Sequence, residues 1–266
     1  MSKYQIIPKP GSKVKLDRFD PDFHDEMDKD VARNETDHLR EKLDLLQERL
    51  YAEGKQALLC VFQAMDTGGK DGVIEKVFEG INPQGARVTS FKVPTPEELS
   101  HDFLWRVHQH VPPKGYIGIF NRSHYEEVLV VRVNELAPKK VWKKHYDHIN
   151  EFERLLSDSG TRILKFYLHI NKAEQKQRML DRLADPDKHW KFSMGDLPVR
   201  ERWDDYMSAY EDLLERCTWN MRRYVETQLI TSGIATVVMR AIVGALEDMD
   251  PHPQPEEGLD VLVIPD

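Results

Sequence analysis

A chain of 266 residues accommodates one large α/β domain or two small ones, and a hydrophobic fraction of 40% suits a substantial core. With 38 Lys and Arg against 46 Asp and Glu, the net charge of −8 argues against a nucleic-acid-binding domain, so any polyanion site has to gather its cations locally. Two cysteines give no disulfide framework, no apolar run approaches the roughly 18 residues of a membrane span, and no leader-like h-region opens the chain, so the expected compartment is the cytoplasm with no membrane partner.

Residues 1–25, with Pro8, Pro10, Gly11 and Pro21, read as an extended arm packed across the domain. From about Asp28 to Gly54 the pattern is helical, with Leu39, Leu43, Leu46 and Leu50 as the apolar stripe and Gly54 as the stop. Residues 57–62 form an apolar run of strand length, buried on both faces. The run ends in a turn carrying Asp66, Gly68, Gly69, Lys70, Asp71 and Gly72, after which Val73, Ile74, Val77 and Phe78 recur at helical spacing. Strand, glycine turn, lysine and helix make a phosphate-binding loop: glycines let backbone N–H groups approach phosphate, and the helix start favours negative charge. Two departures from G-x-x-x-x-G-K-[ST] matter. Ala64 replaces the first glycine, and Asp71 stands where a hydroxyl would hold Mg²⁺, which makes Asp66 the expected metal ligand.

Residues 86–93 read as a second strand, and Thr95 with Glu98 as a capping box that starts a helix running to about His110. On that helix Asp102 and Arg106 stand four apart, the spacing of a surface pair. Residues 115–120 form another central strand, and Asn121, Arg122 and Glu126 follow at its carboxyl end, where open α/β sheets bind ligands. Residues 140–158 are expected to be helical with Ile149, Phe152, Leu155 and Leu156 inward, and residues 162–170 to be a strand. Residues 162–202 hold ten Lys and Arg against six Asp and Glu. Within them, the 171–202 segment carries Arg178 and Arg182 on one helical face and then Lys188 and Lys191, which reads as a lid closing on an anionic substrate. Solvated i,i+4 pairing is the other reading of the same charges. A helix over 201–216 places Trp203, Tyr206 and Tyr210 together, 234–246 is a last apolar helix, and the proline-rich end after Asp250 reads as a tail. His145 and His148 read as surface residues, and no His and Cys metal cluster stands out.

Three motifs in order, Ala64-Met-Asp-Thr-Gly-Gly-Lys-Asp-Gly72, Phe120-Asn-Arg-Ser-His-Tyr-Glu-Glu-Val-Leu129 and Lys188-His-Trp-Lys-Phe192, closely resemble the polyphosphate kinase 2 family over roughly residues 5–215. The resemblance implies an α/β P-loop kinase fold like that of thymidylate kinase, a parallel sheet between helices with a helical lid at 171–202, in one domain spanning 1–266. It implies Mg²⁺-dependent, reversible transfer of phosphate between inorganic polyphosphate and a nucleotide, in a homodimer or homotetramer. Carried over by position, Asp66 would hold metal and orient the accepting phosphate, Lys70 is the loop lysine, and Arg122 neutralises the transferring group. Gly68, Gly69, Asp71 and Gly72 complete the phosphate cradle, with Arg178, Arg182, Lys188 and Lys191 as lid cations. Many family members have Asp where this chain has Asn121. The Asn-Arg-Ser-x-Tyr-Glu form is similar to the subgroup, class III, that phosphorylates both AMP and ADP to give ADP and ATP, with Asn121 and Glu126 near the nucleotide. The alternatives are an ATP-dependent nucleoside monophosphate kinase and a polyphosphate-binding protein without turnover. Residues 216–240 depart from the family pattern, which returns near Ala241, so the path of the chain after the lid is the open point.

Overall fold

Apolar strand residues alternate between two faces, and each face is covered by its own helices. The structure, a computed structural model, describes residues 5–6, 11–21, 29–217, 225–230 and 234–254. Its strands are β1 (Gln5–Ile6), β2 (Ala57–Ala64), β3 (Ala86–Ser90), β4 (Ile117–Asn121), β5 (Thr161–Leu168) and β6 (Val225–Ile230). They form one sheet in the order β1-β6-β5-β2-β4-β3, parallel from β6 to β3, with β1 antiparallel on β6. Leu58, Cys60 and Phe62 of β2 face one core with Leu164 and Phe166 of β5; Leu59 and Val61 face the other with Ile163 and Tyr167. A strand buried on both sides reads as a continuous apolar run because both parities are filled.

The first core is closed by α1 (Lys29–Glu53), α2 (Lys70–Val77) and α10 (Ile234–Met249), through Leu43, Leu50, Val77, Val238 and Leu246. The helix α1 ends at Gly54, whose φ of +63° is the left-handed stop the sequence suggests. On the opposite face lie α4 (Trp105–His108), α5 (Val130–Val133), α6 (Lys139–Asp158) and α9 (Trp203–Arg216), with Tyr146, Ile149, Phe152, Trp203, Tyr206 and Tyr210 in the second core, whereas the short α3 (Pro96–Ser100) buries no residue. Between β5 and α9 the chain makes an excursion through α7 (Lys172–Ala184), a 3₁₀ stretch at Pro186–Lys191 and α8 (Asp196–Glu201). The result is the three-layer α/β arrangement expected of a P-loop kinase. The described part of the N-terminal arm packs on α9: Leu16 is buried, its N–H donates to Glu211, and Lys15 pairs with Glu211 at 2.7 Å. Among the described residues no helix is long and apolar enough to cross a membrane.

Four sequence expectations are corrected. The helix expected over 95–110 is two short ones. Thr95 and Glu98 do form the capping box, but the Asp102 carboxylate accepts from the N–H groups of Leu104 and Trp105 and starts a new turn. Arg106 accordingly pairs with Glu98 at 3.2 Å rather than with Asp102. Strand β3 ends at Ser90, not at residue 93, and Val93 is 89% exposed. Leu155 is 54% exposed, because Ile149, Phe152 and Leu156 already fill the buried face of α6. In the divergent block, Val225–Ile230 pairs in register with β5, whereas residues 218–224 and 231–233, and the tail from residue 255, lie outside the described residues.

Ile149→Ala should therefore cost about 2–5 kcal/mol of unfolding free energy, the range for deleting a fully buried aliphatic side chain. Leu155→Ala should stay within about 0.5 kcal/mol. Urea unfolding of the two variants beside the parent measures the contrast, and equal losses would contradict the burial assignment.

Candidate active site

The connection from β2 passes over β4 to reach β3, whereas the connection from β4 returns past β2 to β5. Chain paths therefore part between β2 and β4, and a crevice opens at their carboxyl ends. Two loops meet there. Residues 65–69 leave β2 and lead into α2, and residues from Arg122 onward leave β4 and lead into a 3₁₀ turn at His124–Glu127. Arg122 Nη2 lies 2.5 Å from Asp66 Oδ1, and Asn121 Nδ2 donates to Asp71 Oδ1 at 2.5 Å, so both loops are tied across the crevice.

Local sterics explain the loop sequence. A Cβ on Gly68 would lie 2.6 Å from the Ala64 Cβ and 2.7 Å from the Met65 carbonyl oxygen, so only glycine fits there. Gly69 is the residue before α2 and has φ +90°. Ala64 is the last residue of β2 and is extended, which is why the missing first glycine does no harm. Nothing lies within 4 Å of a Cβ added to Gly72. Two non-glycine residues, Thr67 and Arg122, have φ +60°.

Lys70 is buried, with Nζ donating to the carbonyl oxygens of Ala64 at 3.0 Å and Met65 at 3.4 Å. Burial pushes its pKa down, helped by Arg122 and opposed by Asp66 and Glu126. Burial also opposes the charge of Arg122, but Glu126 and Asp66 outweigh it and hold the guanidinium pKa up. The carboxyl of Glu126 is pushed up by burial, against the pull of Arg122 and Lys70. These groups form one coupled set of cations and carboxylates.

A cleft of about 470 Å³ opens at this point. Of the residues expected from sequence, Asp66, Gly68, Gly69, Lys70, Asp71, Gly72, Asn121, Arg122, Arg182 and Lys191 line it. Arg178 sits behind the loop, donating to the Thr67 carbonyl at 3.3 Å and to Glu174 at 2.7 Å. Lys188 is not among the lining residues and pairs with Asp185 at 2.7 Å. Glu126 acts on Lys70 and Arg122 without lining the cleft. Lys92, Ser193 and Asp196 also line it and were missed. For Lys92 the signal was its place just beyond a parallel strand; burial and the nearby Asp66 raise the Asp196 pKa. Two larger hollows, of about 600 and 530 Å³, lie around Trp142 and along α6, away from the phosphate loop.

Among the described residues no group of three or more His, Cys, Asp and Glu could cage a metal ion. The Asp66 carboxylate, 19% exposed at the cleft, fits instead a hard divalent cation that takes one or two carboxylates and completes its shell with water and substrate phosphates.

The family model for polyphosphate kinase 2 matches residues 26–251. The chain belongs to the polyphosphate kinase 2 family. It is 50% identical to the AMP/ADP-polyphosphate phosphotransferase of Meiothermus ruber, over 99% of this chain and 100% of that one. It is 52% identical to the ADP-polyphosphate phosphotransferase of Rhodopseudomonas palustris, over 65% of this chain and 64% of that one. A solved polyphosphate kinase 2 from Arthrobacter aurescens superposes with a TM-score of 0.88 at 36% identity, covering 95% of this chain and 94% of that one. The family match runs through the 216–240 block, so this polyphosphate kinase 2 chain keeps the fold's last parallel strand despite its divergent sequence there.

Gly68→Ala should weaken binding of inorganic triphosphate at least about 10-fold, because a methyl group there forces the loop amides to shift. Gly244→Ala, on α10 outside the cleft lining and with nothing within 4 Å of the added Cβ, should leave affinity within about 2-fold. Calorimetric titration of both variants checks this; equal weakening would contradict the loop geometry.

Proposed function

We propose that this chain is a polyphosphate:nucleotide phosphotransferase that moves the terminal phosphate of inorganic polyphosphate reversibly to AMP and ADP. The observation that carries the reading is the convergence of loop amides, Lys70, Arg122, Arg182 and Lys191 on one cleft that also presents Asp66. The full-length likeness to an AMP/ADP-polyphosphate phosphotransferase supports both the donor and the two acceptors.

Donor and acceptor are both polyanions, so the first obstacle is their mutual repulsion. Mg²⁺ bound at Asp66 would supply neutralising charge on the phosphates. The protein's own share is positional and electrostatic. Lys70 turns its ammonium from the Ala64 and Met65 carbonyls to phosphate oxygens, and Arg122 presents a planar fork to the transferring group. Arg182 and Lys191 come from the 171–202 segment, which in this reading is a lid within one domain that screens the reacting groups from water. An acceptor phosphate oxygen attacks the terminal phosphorus of polyphosphate, the bridging P–O bond breaks, and the chain leaves one phosphate shorter. No covalent protein intermediate is needed, because placement and charge stabilisation lower the barrier. Asn121, held on Asp71, then faces the nucleotide side, where a neutral amide in place of a carboxylate eases the approach of a second acceptor phosphate, and Glu126 contributes from behind through Arg122 and Lys70. The same reading takes the chain as a cytoplasmic homo-oligomer, a dimer or tetramer, which light scattering measures.

With AMP, long-chain polyphosphate and Mg²⁺ as the only additions, both ADP and ATP should form. Asp66→Ala and Lys70→Ala should each lower kcat by on the order of 10²–10³-fold or more, and Arg122→Lys by about 10²-fold, with folding unchanged. Turnover that requires ATP as donor would favour a nucleoside monophosphate kinase, and near-parental rates in the variants would remove the site assignment.

A further inference from the structure

Behind the second loop lies a buried polar cluster to which the transfer chemistry assigns no part. Glu153 on α6 is 2% exposed and Lys165 on β5 is 4% exposed, with Nζ donating to Glu153 Oε2 at 2.8 Å. His124 Nε2 lies 3.3 Å from Glu153 Oε1, and the Tyr125 hydroxyl donates to that same oxygen. Lys165 Nζ donates a second bond to the Cys217 carbonyl at 2.5 Å, which ties α9 into the cluster. Burial opposes the charge on Glu153, but Lys165 and His124 outweigh it and hold its pKa at about 2.

A buried ion pair is a weak source of stability, since an apolar pair of similar volume often does as well or better. What such a pair does supply is a fixed position, and here it fixes the turn just after Arg122. The Ser123 hydroxyl oxygen accepts from the Tyr125 N–H at 3.2 Å and from Gln63 Nε2 at 3.2 Å. Residues 123–125 are thereby clamped to β2 on one side and to α6 and β5 on the other. Arg122 enters this clamp with its N–H on the Phe62 carbonyl at 3.0 Å and a φ of +60°. A non-glycine residue in that region is strained and persists only where its surroundings over-determine it.

We propose that Glu153, paired with Lys165, is a positioning residue that holds the His124 and Tyr125 turn so that Arg122 keeps its strained backbone and presents its guanidinium beside Asp66. Glu153 acts through Arg122 and touches no substrate. The inference rests on the reading of Arg122 as the arginine that serves the transferring phosphate.

The test is a double-mutant cycle in the full chain, with AMP, long-chain polyphosphate and Mg²⁺. Glu153→Gln should lower kcat by about 10-fold to 100-fold, the loss expected when a catalytic group is displaced by a fraction of an ångström to one ångström, with KM for AMP within about 2-fold. In the Arg122→Lys background the same change should lower kcat by less than about 2-fold, because the fork it positions is already gone. If Glu153→Gln does not fold, two other variants carry the test: Tyr125→Phe, which removes one hydroxyl from the cluster, and Glu153→Leu with Lys165→Met, which removes both charges. Each should lower kcat in protein whose melting temperature lies well above that of the assay, and the loss should again vanish with Arg122→Lys. Losses that multiply independently, or an unchanged kcat in these folded variants, overturn the positioning role. An unchanged kcat for Arg122→Lys alone overturns the reading of Arg122 itself, and this inference with it.

Discussion

The ion pair between Asp66 and Arg122 is the contact on which the cleft depends. It joins the two loops that leave the neighbouring parallel strands β2 and β4 in opposite directions. Each partner is only partly exposed, at 19% and 39%, so water screens the pair less than it would a surface contact. Without phosphate each charge satisfies the other. In the proposed reaction a metal on the carboxylate and phosphate on the guanidinium would give both stronger partners, and the cleft would exchange one arrangement of charge for another without building a new site.

The surrounding structure serves that exchange. An acidic chain keeps repulsion of its polyanionic substrates in check by concentrating cations in one place: Lys70 beneath the loop, Arg122 from β4, Lys92 beyond β3, and Arg182 and Lys191 from the 171–202 segment. Some cations outside the cleft are tied to carboxylates, as Lys188 is to Asp185 and Arg40 to Asp37 and Glu79. Glu126 and Asp196 then set a limit on the local positive charge, and burial raises the pKa of both.

What was legible in the sequence was local. The Ala57–Ala64 run, the glycines after it and the Thr95 capping box declare themselves because their causes, two-sided burial, loop sterics and cap hydrogen bonds, act over a few residues. The misreadings have tertiary causes. The helix after Thr95 breaks where Asp102 finds backbone N–H partners, and Leu155 follows the apolar pattern of α6 yet falls on its exposed edge. Lys165 counts in the sequence as one more cation of the 162–202 run, whereas all eight residues of β5 are buried and the lysine is matched by Glu153 from a helix. The cleft residues Lys92, Ser193 and Asp196 belong to no motif: Lys92 reaches the cleft from just beyond β3, and Ser193 and Asp196 do so only because the excursion after β5 closes over the loop.

The most direct test of the account is a crystal structure of the full chain with AMP, Mg²⁺ and a non-hydrolysable polyphosphate analogue. The account predicts metal on the Asp66 carboxylate, phosphate oxygens on the Arg122 guanidinium and the Lys70 ammonium, and an Asp66–Arg122 separation beyond hydrogen-bonding distance. An intact Asp66–Arg122 pair, with analogue and nucleotide bound elsewhere, would contradict it.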